Sequence, residues 1–288
     1  MDVRLRALLA EQDDVLAVWQ LRAAGWSRWE VEHRVRRGGW REVHDGVYAT
    51  TQAQLTQRQR WWAATLTAPG TWLNAFSAAN SYGFHLSELG YETVARAGSG
   101  GPRRYAGLLV ARSSTLDGVV GRREGIAIVS PERALIEIAA SLRKRPLERA
   151  FREAVRLKAT TADGIARTLA GQRGTAVLAA LCDRYATLPY HRCRSDAESR
   201  ALEILHAAGV PIPLVNVPYR GPRPDFRWPE SRFIIEIDGK EFHQFPAVDA
   251  ANQAKWEAGG TRVKRFPAMQ VYTHPERLVA LYRTNVPM

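Results

Sequence analysis

Arg223-Pro-Asp225-Phe-Arg-Trp-Pro-Glu-Ser-Arg232, continued by Phe233-Ile-Ile-Glu236-Ile-Asp238-Gly-Lys240-Glu-Phe-His243, is the stretch on which the reading of this chain turns. The run from Phe233 has the apolar, β-branched composition of a buried strand, and the chain turns at Gly239. Side chains alternate along a strand, so Glu236 and Asp238 leave it on the same face as Ile234. Two carboxylates on one apolar face repel each other and lose hydration, so a cation or a proton must share the site. Pairing with an arginine such as Arg200 or Arg227 is one way to supply that charge. Magnesium is the other, a hard octahedral cation that one or two carboxylates, waters and phosphate oxygens can hold. If the two runs form a hairpin, Asp225 comes alongside. Asp225, Glu236 and Asp238 are then the candidate Mg2+ ligands, with Lys240 and His243 close behind. A metal held there acidifies bound water and neutralises charge on a scissile phosphate, while Lys240 or His243 orients or deprotonates the nucleophile. A solvated turn lysine and a satisfied structural imidazole are the alternative readings of these last two.

Around this stretch the carboxy-terminal segment reads as α/β. Ser195 to Ala208 is a helix with Ala197, Ala201, Leu205 and Ala208 on one face and Gly209 as its stop. Ser195-Asp-Ala-Glu198 is a capping box, which is the preferred role of Glu198 over that of a fourth acid. Leu214 to Val217 is a short strand. Asp249 caps a helix that runs to Glu257, and Thr273-His-Pro-Glu276 opens the last helix. Arg262 and Lys264 share a face of the strand after Gly260.

Charge is unevenly spread over the 288 residues, which hold 41 Lys plus Arg against 29 Asp plus Glu, a net +12. Residues 1–50 carry 8 cations and 8 anions, residues 51–194 carry 21 and 10, and residues 195–288 carry 12 and 11. The excess therefore belongs to the middle segment, and it favours an anionic partner such as nucleic acid. There Pro146 opens a helix with Leu147, Phe151 and Val155 on one side and Arg149, Arg152 and Arg156 aligned on another. That basic stripe is a candidate phosphate contact, or else a solvated face. Gly98-Ser-Gly-Gly-Pro-Arg-Arg104 lacks the Lys-Ser/Thr of a phosphate-cradling loop and reads as a turn between strands.

At the amino end, Val15 to Ala24 reads as a helix stopped by Gly25. Ser27-Arg28-Trp29-Glu30 is a capping box opening a second helix to Arg37, with Val31 and Val35 inward. Trp40 to Ala49 then forms two short strands around Asp45-Gly46, a hairpin signal. Helix, glycine turn, helix and hairpin follow one another as in a winged helix-turn-helix, which makes Arg28, Arg36 and Arg37 candidate DNA contacts. A small helical docking domain is the competing reading of this neutral segment.

The start lacks the apolar run of a secretory signal, and nowhere do about 18 apolar residues run together as a spanning helix needs. Cys182 and Cys193 lack zinc-site spacing and read as two ordinary thiols or at most one bridge. A cytoplasmic protein with no membrane partner is the expectation; oligomeric state is open.

Two resemblances add to this. Gly25-Trp-Ser-Arg28, Gly-Gly-Trp-Arg41, Gly46-Val-Tyr48, Trp61-Trp-Ala-Ala64 and Ser130-Pro-Glu-Arg-Ala-Leu135 resemble the antitoxin-type transcriptional regulators of abortive-infection (type IV) systems, over roughly residues 8–142. That resemblance implies a winged-helix DNA-binding start and an α/β middle segment, not an enzyme; a cognate toxin or defence-system protein is the candidate partner. Pro224-Asp225-Phe226, Ile235-Glu-Ile-Asp-Gly239, His243, Asp249, Gly259-Gly260 and Arg262-Val-Lys-Arg-Phe266 are similar to the very-short-patch repair branch of the restriction-endonuclease-like superfamily, over roughly residues 195–284. By that motif Asp225 is the principal metal ligand, Glu236 or Asp238 the second, and His243 the base. An acid replaces the superfamily's lysine in Glu236-Ile-Asp238, and Asp238-Gly-Lys240 restores it only with a shift of frame.

The combined expectation is an α/β multidomain chain: a winged helix-turn-helix (1–50), a basic α/β middle domain (51–194), and an endonuclease-like α/β domain with a central mixed sheet (195–288). Its function is expected to be magnesium-dependent cleavage of double-stranded DNA, or else antitoxin-type regulation by a terminal domain that binds nucleic acid without cutting it.

Overall fold

Asp45-Gly46 reverses the chain between β2 (Arg41–His44) and β3 (Val47–Ala49), with Gly46 at φ +68°, a left-handed conformation that side chains resist. In this computed structural model, residues 3–84, 86–87, 89–169, 175–186, 188–239 and 246–286 are described. Among them, thirteen α-helices and three sheets make an α/β protein of two units, Met1–Ala150 with Thr168–Leu178, and Phe151–Arg167 with Ala179–Met288.

The first unit begins with α1 (Val3–Glu11), β1 (Val15–Ala17), α2 (Val18–Ala23) and α3 (Arg28–Arg36) before the hairpin. The helix expected from Val15 starts three residues late. Val15, Leu16 and Ala17 are fully buried and pair with Ala49, Tyr48 and Val47, giving a three-stranded sheet in the order β1-β3-β2. A β-branched residue inside a buried ladder gains more from the sheet than from a helical turn. Ser27 caps α3 with the reciprocal Glu30 bonds, as its spacing suggests.

α4 (Gln57–Thr65), β4 (Thr71–Leu73), α5 (Ala75–Ser81), β5 (Glu92–Ala97), β6 (Arg103–Tyr105), β7 (Leu108–Ser113), β8 (Val120–Arg123), β9 (Ile126–Val129) and α6 (Pro131–Ala139) complete most of this unit. Its six-stranded mixed sheet runs β6-β7-β5-β4-β9-β8. The Gly98–Arg104 segment is indeed the connection from β5 into β6. Val15, Ala17 and Val47 share one core with Trp62, Leu73, Val94 and Ile128, so a single hydrophobic cluster contains residues from both sides of position 50.

α7 (Lys144–Arg156) contains the division between the units, and α8 (Ala162–Leu169) and α9 (Ala176–Tyr185) follow. The second unit then continues through α10 (Asp196–Ala207), β10 (Leu214–Val215), β11 (Phe226–Trp228), β12 (Phe233–Asp238), α11 (Pro246–Glu257), β13 (Arg262–Pro267), α12 (Ala268–Thr273) and α13 (Pro275–Asn285). Its sheet has the order β10-β11-β12-β13, antiparallel except for the parallel β12–β13 pair. One face carries Phe226, Trp228 and Phe233 and packs on α13, where the Tyr282 ring lies 4.8 Å from Trp228. The other carries Ile234 and Val263 beneath Trp256 of α11 and Tyr219. Each such buried side chain contributes roughly 1.5–3 kcal/mol, and together they fix the strand register that places the acids. Asp249 lies inside α11, not at its cap, because the helix begins three residues earlier. Cys182 and Cys193 are buried free thiols, and burial pushes them up to about 11 and about 12. No helix of the described residues is long and apolar enough to cross a membrane.

Candidate active site

The β11–β12 register sets Phe226 against Ile235, which brings Asp225 opposite Glu236. Each carboxylate then takes a backbone donor of the other strand. Asp225 Oδ2 accepts from the Ile237 N–H at 2.7 Å, and Glu236 Oε1 accepts from the Asp225 N–H at 2.8 Å. The expected hairpin therefore forms and joins the two acids. Asp238 stands two residues further along the same face, but its Oδ1 is 2.9 Å from the Arg265 guanidinium, supplied by the parallel neighbour β13. Two of the three predicted ligands thus meet directly, while the third is held by an arginine.

Glu198 completes the acidic surroundings. The Ser195 hydroxyl caps the helix by accepting from the Glu198 N–H, but the expected return bond goes one residue earlier: Oε2 accepts from the Arg194 N–H at 2.8 Å and from Asn216 Nδ2 at 2.7 Å, while Oε1 accepts from the Ser195 hydroxyl. Asn216 is a partner that spacing alone gave no means of finding. Burial, then the Glu236 and Glu198 charges, push the Asp225 carboxyl well above its ordinary range, against the pull of the Ile237 N–H. Burial raises Glu236 from 4.5 to about 7, although the Asp225 N–H and Arg265 pull it down. Each carboxylate is therefore disfavoured as an anion.

The pair opens on a cavity of about 780 Å³ that also exposes Asp238, Arg194, Arg223 and Arg265. Its lining mixes the guanidiniums of Arg194, Arg223 and Arg265 with the carboxylates of Glu198, Asp225, Glu236, Asp238 and Asp249. Arg194 and Arg223 were missed by sequence reasoning; their only signal was adjacency to Ser195 and to Pro224-Asp225. The alternative neutralisers do not reach the pair: Arg200 bonds Glu203 at 2.9 Å, and Arg227 lies over the Tyr219 ring at 4.4 Å. Lys240 and His243 fall outside the described residues.

A hard cation fits this chemistry. Asp225 and Glu236 each keep one oxygen without a hydrogen bond among the described residues, and both are destabilised as anions, a condition that a divalent ion relieves. No cluster of three or more potential ligands occurs among the described residues, so two carboxylates with waters or phosphate oxygens would complete the shell. No family model matches the chain, and no curated protein matches it.

The predicted DNA-contacting arginines divide. Arg36 and Arg37 are exposed at the end of α3, and Arg28, also exposed, pairs with Glu32 at 2.7 Å. Arg149 faces solvent. Arg152 does not, and the expected basic stripe is corrected on that point. Arg152 is 4% exposed and lies 3.2 Å from Glu203 and 3.3 Å from Asp196. Arg156 is turned to Glu153 at 2.6 Å. From Ala150 to Val155 every residue of α7 is buried, so a guanidinium on the flank of its apolar side lands in the interior and needs an acid there.

Proposed function

We propose that this chain binds double-stranded DNA and that its second unit hydrolyses a phosphodiester, as an endonuclease of the restriction-endonuclease-like kind, with residues 1–50 of the first unit serving as a winged helix-turn-helix. What carries the reading is the half-buried Asp225–Glu236 pair, tied across the hairpin by the Asp225 N–H and facing a cavity lined by three arginines and three further acids. Asp225 and Glu236 would hold Mg2+, with Asp238 beside them. When bound, the ion lowers the pKa of a water and neutralises charge on the phosphate. The chain's own groups do the rest. The Ile237 and Asp225 N–H groups fix the two carboxylates against rotation, and Arg194 and Arg223 attract the phosphates flanking the scissile bond. Asp238 holds Arg265 by the site. Lys240 and His243 stay candidate proton-transfer groups.

Nicking of supercoiled plasmid tests this directly. Cleavage is expected with Mg2+, and neither with EDTA nor with Asp225→Ala; equal nicking by all three samples rules the proposal out.

The solvent-facing side of α3 supports a second reading, in which the chain is an antitoxin-type regulator with a toxin or defence-system partner. Trp29 is 63% exposed and stacked on His33 beside Arg28, a binding surface with no part in hydrolysis. Protection of a promoter fragment without scission would favour it. Under either reading, Arg36→Ala with Arg37→Ala is expected to weaken DNA binding and lower the salt slope by about 0.9 for each phosphate no longer neutralised. Arg149→Ala should act in the same direction. Slopes identical to wild type in a fluorescence-anisotropy salt series would remove these residues from the interface.

A further inference from the structure

At the other end of the same sheet, where β12 and β13 begin, lies a second polar cavity. It measures about 240 Å³ and is bounded by Tyr219, Arg227, Arg232, Gly259 and Thr261. Among the described residues its wall contains no carboxylate. Arg220 adds a third guanidinium above Gly259: a Cβ there would meet Arg220 Nε at 2.6 Å and the Tyr219 hydroxyl at 2.9 Å, so a side chain at this position would displace the tips of both. Arg227 lies over the Tyr219 ring, its Nε is buried, and its side chain makes no hydrogen bond among the described residues. None of Arg220, Arg227 and Arg232 pairs with an acid among those residues. The Tyr219 hydroxyl, 3.1 Å from Thr261 Oγ1, has its pKa lowered by that bond and by Arg220 and Arg227.

Arg220 and Arg227 both lie over the Tyr219 ring, but three guanidiniums gathered without a counter-charge still repel one another. An anion reverses the sign. Planar guanidinium forks match the oxygen pairs of a phosphate, and two hydroxyls supply further hydrogen bonds. We propose that Arg220, Arg227, Arg232, Tyr219 and Thr261 form a phosphate-binding site separate from the Asp225–Glu236 cavity. The site needs neither a metal nor hydrolysis, so it stands apart from the nuclease reading. Its ligand is a phosphate group, whether of a polynucleotide backbone or free in solution.

The test uses the full chain, inorganic phosphate at constant ionic strength, and a short DNA duplex, with Arg232→Gln as the main variant. Arg227 packs on Tyr219, so Arg227→Lys is the second variant, keeping charge and most packing while losing the fork. Phosphate is expected to raise the Tm of wild type and of Asp225→Asn alike, and to raise neither arginine variant. Weaker duplex binding by both variants, with a salt slope shallower by about 0.9 per phosphate no longer neutralised in Arg232→Gln and unchanged in the charge-keeping Arg227→Lys, assigns the phosphate to DNA. Lost phosphate protection with unchanged duplex binding assigns it to a free phosphate or nucleotide. If both variants keep wild-type duplex affinity and the wild-type response to phosphate, the site does not exist. Because Asp225→Asn is carried alongside, that failure is distinguishable from failure of the nuclease proposal.

Discussion

Asp225→Asn is expected to make the protein more stable at neutral pH while removing magnesium-dependent cleavage. The amide keeps an oxygen for the Ile237 N–H, so the strand pairing survives. What disappears is one of two carboxylates that burial and neighbouring acids already disfavour as anions. For an acid whose folded pKa is raised, the unfolded chain releases its proton first as pH climbs. Between 4.5 and about 7, the interval over which Glu236 shifts, the native state therefore holds more protons and stability falls with rising pH. Above that window the whole penalty is present. In the variant the fall should be shallower, and urea denaturation at pH 5 and pH 8 reads the difference. Mg2+ should raise the wild-type Tm at pH 8, hardly at pH 5, and not at all in the variant. Cleavage should drop at least about 100-fold, the upper end of what losing even a supporting partner of a metal ligand costs. A variant that is less stable than wild type at pH 8, or still answers to Mg2+, removes Asp225 from the metal site.

Arg152→Met is expected to be the most destabilising single change in the second unit. Glu203 is 2% exposed and receives Arg152, Arg200 and the Tyr190 hydroxyl. Desolvation pulls Arg152 down, but Glu203 and Asp196 outweigh it and hold its pKa above the ordinary value; burial pushes Glu203 up despite the same partners. Two guanidiniums and a phenol converging on one carboxylate favour the ion pair at neutral pH. Removing one partner of a buried pair costs about 3–5 kcal/mol, whereas replacing both by apolar groups is often neutral. Arg152→Met should therefore lose about that much in urea denaturation, and adding Glu203→Leu should restore most of it. A variant of unchanged stability with weakened DNA binding would instead return Arg152 to the surface stripe.

These residues also show which parts of the molecule were legible in advance. The Ser27 and Ser195 caps, the Asp45-Gly46 turn and the Asp225–Glu236 pairing all follow from local spacing, strand alternation or a hairpin, and each is present. What sequence could not supply were contacts between distant segments. Arg265 reaches Asp238 only because β13 runs parallel to β12 in a register that leaves Glu236 beside Arg265. Arg152 is interior because α7 is covered on several sides, which a helical repeat with one apolar stripe does not reveal. Val15–Ala17 joins a sheet whose partner strand lies some thirty residues on, so propensity over a short window favoured the wrong element.

The crossed hydrogen bonds of Asp225 and Glu236 have a structural corollary. Both acids double as rungs that close the mouth of the hairpin, so alanine or valine at either place strands an amide hydrogen, whereas asparagine at 225 and glutamine at 236 are isosteres that keep the architecture zipped while silencing the charge.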